Sequence, residues 1–319
     1  MSGGAAALWL PACAKLNLFL EVTGQRADGY HTLDTVFHAL ALRDDLSARH
    51  SKRGVTIAVS ADHERLLVPD DGRNLAVRAL EALRAEVGHA GGFHVDLHKR
   101  IPNGGGLGGG SSNAAAALRI ANALLGDPLD ADGLAKLAVS LGADVPFFLG
   151  GGTQRGRGIG EVLTPLRHDE RHFVLLLPPY GCATAEVYKI HARRLEAGGY
   201  GDTLPRNSVW EDRDAGMGYS LYNQLEQAAE QLRPELGRLR RAVGDAGYEH
   251  VRMTGSGSTL FVRTEDGESA ARCLCDLERA LASSEHEGVT LEVTRSAGHP
   301  AASLPSDALP DTLRRPPPA

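Results

Sequence analysis

A glycine run constrains this chain more than any other feature of its sequence. Residues 101–118 read IPNGGGLGGGSSNAAAAL, and six of the seven residues from 104 to 110 are glycine. Glycine loses more backbone freedom on folding than any other residue, at a cost of roughly 0.5 to 1 kcal/mol relative to alanine inside a regular element. The run therefore needs a role that only a backbone without Cβ atoms can fill.

The neighbours of the run place it between a strand and a helix. Phe93, Val95 and Leu97 alternate with polar residues, which predicts a strand. A helical pattern follows over about 112–125, with a serine at its start and Gly126 just past its end. The first turn of a helix offers free amide groups and the positive end of the dipole, so we expect a phosphate group to bind here.

Three phosphate-binding loops could explain this pattern. The P-loop needs a lysine before its serine, and none precedes Ser111 and Ser112. The dinucleotide-binding pattern G-x-G-x-x-G does match, but the acidic residue expected about 20 positions later would fall at a predicted helix start instead of on a strand. The stretch PNGGGLGGGSSNAAAA resembles a third pattern, the loop of the GHMP small-molecule kinases. A flexible linker is the remaining alternative, and linkers do not run from a strand into a well-capped helix.

The composition is that of an ordinary globular protein. A chain of 319 residues with 42% hydrophobic residues can bury a large core, and this length favours two domains. The formal net charge of −6 argues against nucleic acid or an anionic membrane as the main partner. The oligomeric state cannot be read from these features.

The cysteines and histidines indicate neither disulfides nor a metal site. Cys13 and Cys182 stand alone, and the pair Cys273 and Cys275 lacks the second half of a zinc site. The thirteen histidines show no ligand spacing either. We expect a reducing compartment and, because neither a membrane span nor a basic signal region stands out, a cytoplasmic protein.

The pattern of apolar residues predicts an α+β chain in two domains. The N-terminal domain spans residues 1–165, the C-terminal domain spans 166–298, and a tail over 299–319, rich in proline and small residues, is predicted to be disordered. The first predicted strand, over 15–22, alternates and should be half-buried, with Lys15 and Asn17 on the same face.

Further strands and helices follow from the same patterns. Strands are predicted at 33–42 and 54–60, in HFVLLL, on both sides of the glycine turn in MTGSGSTLFVR, and in VTLEVTRSA. Helices are predicted near 75–87, 130–141, 185–196, 219–231 and 268–282.

Several further segments extend the GHMP resemblance over roughly residues 11–262. In order and spacing, the chain is similar to the branch that phosphorylates 4-diphosphocytidyl-2-C-methyl-D-erythritol, as seen in PACAKLNLFLEVTGQRADGYHTLDTVF, DGRNLAVRAL, KRIPNGGGLGGGSSNAA, LGADVPFFL, GRGIGEVLTPL, LPRN, LYNQLE and MTGSGSTLF. The resemblance implies a two-domain GHMP kinase fold, with ATP and substrate in the cleft between domains. It also implies in-line transfer of the γ-phosphate of ATP to the 2-hydroxyl of this substrate, a step toward isoprenoid precursors in the non-mevalonate pathway.

Two catalytic residues follow from the resemblance. Asp144 in LGADVP would accept or orient the proton of the acceptor hydroxyl, and Lys15 would keep that carboxylate ionised and steady the transferring phosphoryl group. Pro146 should push Val145 toward an extended conformation and so fix the direction of Asp144.

The resemblance also implies the residues that bind the two substrates. Tyr30 would stack on the cytosine and His31 would hydrogen-bond its edge, while Tyr188 takes the place of a second stacking ring that is usually phenylalanine. Asn17 and Thr184 would also contact the substrate. The expected ATP contacts are Asn74 and Lys99 near the adenine and, around the phosphates, Pro102, Asn103, Gly104, Gly105, Gly106, Leu107, Gly108, Gly109, Gly110, Ser111 and Ser112. Mg²⁺ is expected with ATP, although no compact carboxylate cluster marks its ligands.

Two alternatives stay open at this point. One is a GHMP kinase for homoserine or a mevalonate derivative, against which the predicted base-binding residues Tyr30, His31 and Tyr188 argue. The other is a non-catalytic sensor that keeps the fold and binds nucleotide, against which Lys15 and Asp144 argue.

Overall fold

The computed structural model describes residues 7–197 and 221–297. The predicted disordered tail lies outside these ranges, as do the LPRN segment and the first two residues of the helix predicted over 219–231. Within the described ranges the chain forms two β-sheets with helices on their outer faces.

Seven strands make the first sheet. They are β1 (Leu8–Gln25), β2 (His31–Ser51), β3 (Val55–Ala61), β4 (Gly92–Lys99), β5 (Thr153–Arg157), β6 (Val162–Leu166) and β8 (Tyr222–Asn223). The order is β3-β4-β2-β1-β8, with β5 joining β2 on one side and β6 on the other. The long antiparallel pair of β1 and β2 is the centre of this sheet, and a turn at residues 27–29 joins the two strands.

Strand β1 is more deeply buried than its alternating pattern predicts. Leu16, Leu18, Phe19 and Leu20 are all at most 3% exposed, so the prediction of a half-buried strand is wrong. Two packed layers explain the difference, because β1 lies between the helices of its own sheet and the second sheet. Its polar residue Lys15 is also enclosed, at 3% exposed.

Four helices cover the outer face of the first sheet. They are α1 (Leu75–Glu86), α2 (Gly109–Leu124), α3 (Ala131–Leu141) and α4 (Val145–Gly150). The alanine-rich stretch of α2 is buried against the sheet, with Ala114, Ala115 and Ala117 fully enclosed. Small side chains let this helix lie close to β1 and β2, which brings its first turn to the middle of the molecule.

Two details of these helices differ from the predictions. Helix α2 begins at Gly109 instead of Ser112, because Gly108 takes a left-handed conformation (φ 71°, ψ 17°) that turns the chain into the helix. Val145 is the first residue of α4 and is not extended. A proline in the first helical turn needs no amide partner, and Phe147, which follows it, is fully buried.

Four antiparallel strands make the second sheet, in the order β11-β7-β10-β9. They are β7 (His172–Leu177), β9 (Arg252–Met253), β10 (Leu260–Thr264) and β11 (Thr290–Arg295), and the helices of this half are α5 (Thr184–Glu196), α6 (Glu226–Leu232), α7 (Pro234–Asp245) and α8 (Gly267–Ala280). The helix predicted over 219–231 is wrong in its first part, because Tyr222–Asn223 pairs with β1 as strand β8 and the helix starts only at Glu226.

The two sheets share a hydrophobic core. Phe173 and Leu175 of β7 pack with Leu16 and Leu18 of β1, whereas Val174 and Leu176 point to the other side, among the C-terminal helices. Strand β6 ends at Leu166 and β7 begins at His172. The domain boundary near residue 165 stays a prediction, and β8 shows that the C-terminal half returns to the first sheet.

None of the helices within the described ranges is long and apolar enough to cross a membrane. The same part of the chain contains no group of three or more His, Cys, Asp or Glu side chains that could hold a metal ion. All four cysteines are unpaired.

Candidate active site

A cavity of about 1120 Å³ collects most of the predicted site residues. Pockets for one small molecule usually measure about 300 to 1,000 Å³, so this space can hold two substrates together. The predicted residues that line it are Lys15, Asn17, Tyr30, His31, Pro102, Asn103, Gly104, Gly105, Gly106, Leu107, Gly108, Gly109, Gly110, Ser111, Asp144, Thr184 and Tyr188.

The glycine loop (residues 102–110) forms one wall, between the end of β4 and the first turn of α2. Gly104, Gly106 and Gly108 all have φ near +70° to +80°, at 70°, 78° and 71°. A Cβ atom on Gly106 would lie 2.2 Å from the carbonyl oxygen of Thr254, and one on Gly108 would lie 2.7 Å from Cζ of Phe148. The positive φ angles favour glycine at all three positions, and the close contacts leave no space for a side chain at Gly106 or Gly108. Free amide groups at the start of a helix can bind an anion such as phosphate.

A second glycine turn holds this loop in place from the C-terminal half. Its residues, 254–259, read TGSGST and connect β9 to β10. The Thr259 amide donates to the carbonyl of Gly105 at 3.2 Å, and the Thr254 hydroxyl donates to that of Gly106 at 3.3 Å. Asn223 in turn donates to the carbonyls of Met253 and Gly255 at 2.8 Å each. The two halves of the chain therefore meet at the loop.

Lys15 and Asp144 lie on the floor of the cavity, where Nζ of Lys15 is 3.8 Å from Oδ2 of Asp144. The side chain of Lys15 is 4% exposed and that of Asp144 is 35% exposed, so the carboxylate faces the open space and the ammonium lies behind it. Nζ also donates to Oδ1 of Asn17 at 2.5 Å, as expected for two residues on one strand face. This arrangement gives a positioned carboxylate with a cation at its side.

Buried hydroxyl groups fix Asn17. Its side-chain nitrogen donates to the Thr35 hydroxyl at 2.8 Å, and its backbone nitrogen donates to the Thr254 hydroxyl at 2.9 Å. The Thr35 hydroxyl in turn donates a hydrogen bond to the carbonyl of Phe19 at 2.6 Å. Asn17 is thereby oriented with its oxygen toward Lys15, which fixes the ammonium in turn.

Burial changes the ionisation of Lys15. Removal from water lowers the pKa of its ammonium group below the ordinary value of 10.5, and the negative charge of Asp144 opposes this shift. The ring of Phe37 lies 5.7 Å from Nζ and adds a favourable contact for the cation. The ammonium is therefore held by its partners in a site with little water.

The aromatic residues of the cavity form a separate group. Tyr30 is 61% exposed and follows the turn at Asp28 and Gly29. The ring of His31 stacks on that of Tyr188, with centroids 5.0 Å apart and planes inclined by 26°. One face of Tyr188 is therefore covered by His31, and a base that stacks on Tyr188 would use the other face or displace the imidazole.

Burial affects the ionisation of His31 and Tyr188, and a hydrogen bond fixes the position of Thr184 near them. Burial lowers the pKa of His31 below its ordinary value, so its ring is neutral near pH 7. Burial, together with the nearby charge of Asp144, raises the pKa of Tyr188 and keeps its hydroxyl protonated. The hydroxyl of Thr184, the first residue of α5, lies 2.9 Å from that of Ser256 and joins this helix to the 254–259 turn.

Three predicted ATP-contacting side chains do not line the cavity. Asn74 caps α1 by accepting from the Ala76 amide at 3.0 Å and donates to the carbonyl of Pro69 at 2.8 Å. Ser112 is 2% exposed and lies inside the first turn of α2. Lys99 is fully buried behind the glycine loop, where it pairs with Asp44. Their roles in ATP binding stay predictions.

Sequence reasoning missed several residues that shape this site. Thr35 and Thr254 orient Asn17, although they are 18 and 237 positions away from it, and Asp44 lies in the middle of β2. Thr35 and Asp44 are single residues inside a strand and carry no motif of their own, and the motif MTGSGSTLF does not show that the hydroxyl of Thr254 contacts Asn17. Only the pairing of distant strands could have indicated them.

Comparison with known proteins agrees with this geometry. The model of the GHMP kinases N terminal domain matches residues 74–152, and that of the GHMP kinases C terminal region matches residues 207–283. The chain is thus a GHMP kinase, a class of enzymes that take the phosphoryl group from ATP. It carries the glycine loop at a helix start, the facing 254–259 turn and the pair of Lys15 and Asp144.

Relatives narrow the class to a family. A 4-diphosphocytidyl-2-C-methyl-D-erythritol kinase of Xanthomonas oryzae pv. oryzae is 37% identical over 271 residues, which cover 85% of this chain and 87% of the relative. A crystal structure of a 4-(cytidine 5'-diphospho)-2C-methyl-D-erythritol kinase matches with a TM-score of 0.72 at 34% identity, over 91% of this chain and 100% of the other. The chain belongs to the 4-diphosphocytidyl-2-C-methyl-D-erythritol kinase family.

A more distant match shows the fold alone. The crystal structure of a homoserine kinase from Cytophaga hutchinsonii has a TM-score of 0.65 at 19% identity, over 94% of this chain and 97% of the other. The overall fold is therefore shared by kinases for different alcohols, and the acceptor has to be argued from the cavity.

Proposed function

We propose that this enzyme transfers the γ-phosphate of ATP to the 2-hydroxyl of 4-diphosphocytidyl-2-C-methyl-D-erythritol, as its family name implies. The observation that carries the proposal is the layout of one cavity, with a carboxylate and a cation next to the glycine loop and with aromatic rings along another wall. A substrate with a base at one end and an alcohol at the other fits such a layout. Homoserine and mevalonate have no base to place among the rings.

The chain's own residues supply positioning and electrostatic stabilisation. The glycine-loop amides and the start of α2 bind the phosphates of ATP, and Asp144 takes or orients the proton of the acceptor hydroxyl. Lys15 lies 3.8 Å from that carboxylate, so its charge can offset negative charge on the transferring group. A direct in-line transfer needs no covalent intermediate on the protein.

The acceptor-binding part of the proposal uses three rings and two polar side chains. Tyr30 provides an open aromatic face for the cytosine, and His31, neutral near pH 7, has a ring nitrogen for the edge of the base. Tyr188 contributes the second ring. Asn17 and Thr184 also line the cavity and would contact the rest of the substrate.

Mg²⁺ would be held mainly by the phosphate oxygens of ATP. The described part of the chain lacks a cluster of metal-binding side chains, which fits an ion that keeps several waters and takes few protein ligands. The Ser111 hydroxyl, in the first turn of α2 and on the cavity wall, is the proposed protein ligand. When bound, the ion would neutralise charge on the phosphates.

The proposed setting is the cytoplasm, which the four unpaired cysteines support, because reduced thiols persist in reducing compartments. The net charge of −6 supports a small-molecule partner over nucleic acid or an anionic membrane.

The test is a comparison of acceptors. Turnover of ATP is measured with the cytidine diphosphate substrate, homoserine and mevalonate, each with wild-type protein and with Asp144→Asn. We expect the highest kcat/KM with the cytidine substrate and a large loss in the variant. Preference for homoserine or mevalonate would contradict the proposed acceptor, and wild-type turnover equal to that of Asp144→Asn would indicate a nucleotide sensor.

A further inference from the structure

We infer that Asp44 is a positioning residue for the phosphate donor, because its buried carboxylate joins the two ends of the glycine loop. Asp44 lies in β2, does not line the cavity and is fully buried. The inference rests on the proposed use of this loop to hold ATP, and it extends that proposal to a residue behind the loop.

The carboxylate accepts four hydrogen bonds. Its Oδ1 accepts from the backbone amides of Arg100 and Ile101, at 2.7 and 2.8 Å. Its Oδ2 accepts from the side-chain amide of Asn113 at 2.9 Å and from the ammonium group of Lys99. Every donor thus belongs to the segment that carries the glycine loop, and each carboxylate oxygen serves two of them.

These four donors lie on both sides of the loop. Lys99, Arg100 and Ile101 precede its first residue, and Asn113 follows it in α2. Residues 102–110 between them include six glycines, which have a large conformational freedom to lose. Because both ends are fixed to one carboxylate, the loop can take fewer conformations before ATP binds. Less conformational entropy is then lost when the phosphates bind.

Burial makes this arrangement depend on every partner. The side chains of Lys99 and Asp44 are both fully buried, and such a pair is stable only when the remaining donors and acceptors are matched. Burial lowers the pKa of Lys99, while the charge of Asp44 opposes that change. The backbone amides of Arg100 and Ile101 donate to Oδ1 of Asp44, and the side chain of Asn113 donates to Oδ2 beside Lys99. Each carboxylate oxygen therefore has two donors.

Lys99 stands directly against the first residue of α2. A Cβ atom on Gly109 would come within 3.2 Å of its ammonium nitrogen. The side chain that sequence resemblance places near the adenine therefore supports the loop from behind instead of facing the cavity. Ile101 lies as close, with its Cγ2 3.0 Å from that Cβ position, so a larger residue at position 109 would require both neighbours to shift by a few tenths of an ångström.

The first test replaces Asp44 by asparagine, which keeps one oxygen for the two backbone amides. The new side-chain NH2 group faces the donors of Lys99 and Asn113 and cannot accept from them, so the bonds to Lys99 and to Asn113 of α2 are lost. We expect the Kd of a non-hydrolysable ATP analogue and the KM for ATP to rise about tenfold, the factor expected when a charged hydrogen bond is lost. The KM for the acceptor should change less than about twofold, because no acceptor-binding residue is touched.

The matched control is Asp45→Asn, in the neighbouring position of the same strand. Asp45 pairs through its side chain with the guanidinium of Arg100 at 2.5 Å, and within the described residues it accepts no hydrogen bond from the backbone amides before the loop or from α2. We expect its ATP binding to stay within about twofold of the wild type, since an ion pair whose guanidinium is 37% exposed contributes little. Both variants are also examined by hydrogen exchange, where Asp44→Asn alone should speed exchange of the amides of residues 103–110.

A second variant covers the case in which Asp44→Asn does not fold. Asn113→Ala removes only the tie to α2 and leaves the buried ion pair intact, and we expect a smaller rise, about threefold, in the Kd of the ATP analogue. Unchanged analogue binding and loop exchange in the folded variants would overturn the inference, as would an equal rise in the KM values of both substrates. Analogue binding needs no acceptor, so this result stands apart from the test of the acceptor.

Discussion

The cavity has a donor end, with Lys15 and the glycine loop, and an acceptor end, with Tyr30, His31 and Tyr188. The two ends differ in how many of their contacts are already formed without substrates. At the donor end, Lys15 is 3% exposed and is held by Asn17, whose own partners Thr35 and Thr254 are fully buried. At the acceptor end, Tyr30 is 61% exposed, and within the described part of the chain only His31 and Tyr188 form a ring contact there. One end is a fixed polar network and the other is an open aromatic surface.

The difference follows from what each end has to do. Charge develops at the donor end during phosphoryl transfer, and polar groups that are oriented beforehand stabilise it without reorganisation. The acceptor end has to recognise a flat base, and an exposed ring gains its contact area only when that base arrives. We therefore expect substitutions at the donor end to reduce kcat and substitutions at the acceptor end to raise the KM for the acceptor.

The largest effect should come from Asp144→Ala. Loss of the carboxylate should lower kcat by about 10³-fold, the order expected of a general base, with ATP-analogue binding within about twofold of wild type. Steady-state kinetics and calorimetry measure the two quantities. Asp132→Ala, at an exposed position of α3, is the control. A variant that keeps more than about a tenth of wild-type kcat would show that Asp144 only shapes the site.

The next effect is a pH dependence at the donor end. Because burial lowers the pKa of Lys15 below 10.5, its ammonium group loses its proton at a lower pH than an exposed lysine does. As pH rises through that lowered pKa, kcat should fall by about tenfold for each further pH unit. In Lys15→Arg the guanidinium keeps its proton, so any remaining activity should lose this high-pH limb. The same limb in both proteins would assign it to another group.

A smaller effect is expected from Tyr30→Ala at the acceptor end. Loss of one stacking face should raise the KM for the cytidine substrate about tenfold and leave the KM for ATP within about twofold. Tyr30→Phe keeps the ring and should bind the acceptor like wild type. If Tyr30→Ala lowered kcat without changing the acceptor KM, the two ends of the cavity would not be separate in function.

The smallest effect should come from Tyr188→Phe. The ring and its stacking on His31 remain, and the lost hydroxyl is a neutral group, so acceptor KM should change by less than about threefold. Kinetics with both substrates measure this. A larger rise would show that the hydroxyl, which most members of the family are expected to lack, takes part in binding the acceptor here.

Local patterns predicted much of the fold correctly. Helices α1 and α3 lie close to their predicted ranges, with Asn74 and Asp130 as their N-caps, and strands β3, β4, β7 and β11 lie where the apolar patterns predicted them. Family resemblance supplied the roles of Lys15 and Asp144, and the structure brings their charged atoms within 3.8 Å of each other. These features depend on residues close in sequence or on motifs that resemblance can match.

The wrong predictions concern positions that distant residues decide. Tyr222 and Asn223 were predicted as helix but pair with β1 through contacts that span about two hundred residues. Val145 was predicted as extended but begins a helix, because burying Phe147 outweighs the local preference before proline. The pairing of Lys99 with Asp44 behind the loop is another contact between distant residues, and the predicted role of Lys99 near the adenine stays a prediction.

The glycine loop between a strand and a helix could be predicted from the sequence, because the required backbone torsions and the helix signals are local properties of neighbouring residues. The groups that support that loop are known only from the folded structure. Asp44 and the 254–259 turn reach it from separate strands, and their hydrogen bonds exist only once the two sheets have packed around their shared core. The loop itself depends on neighbouring residues, whereas the contacts that hold it in place come from residues far away in the sequence.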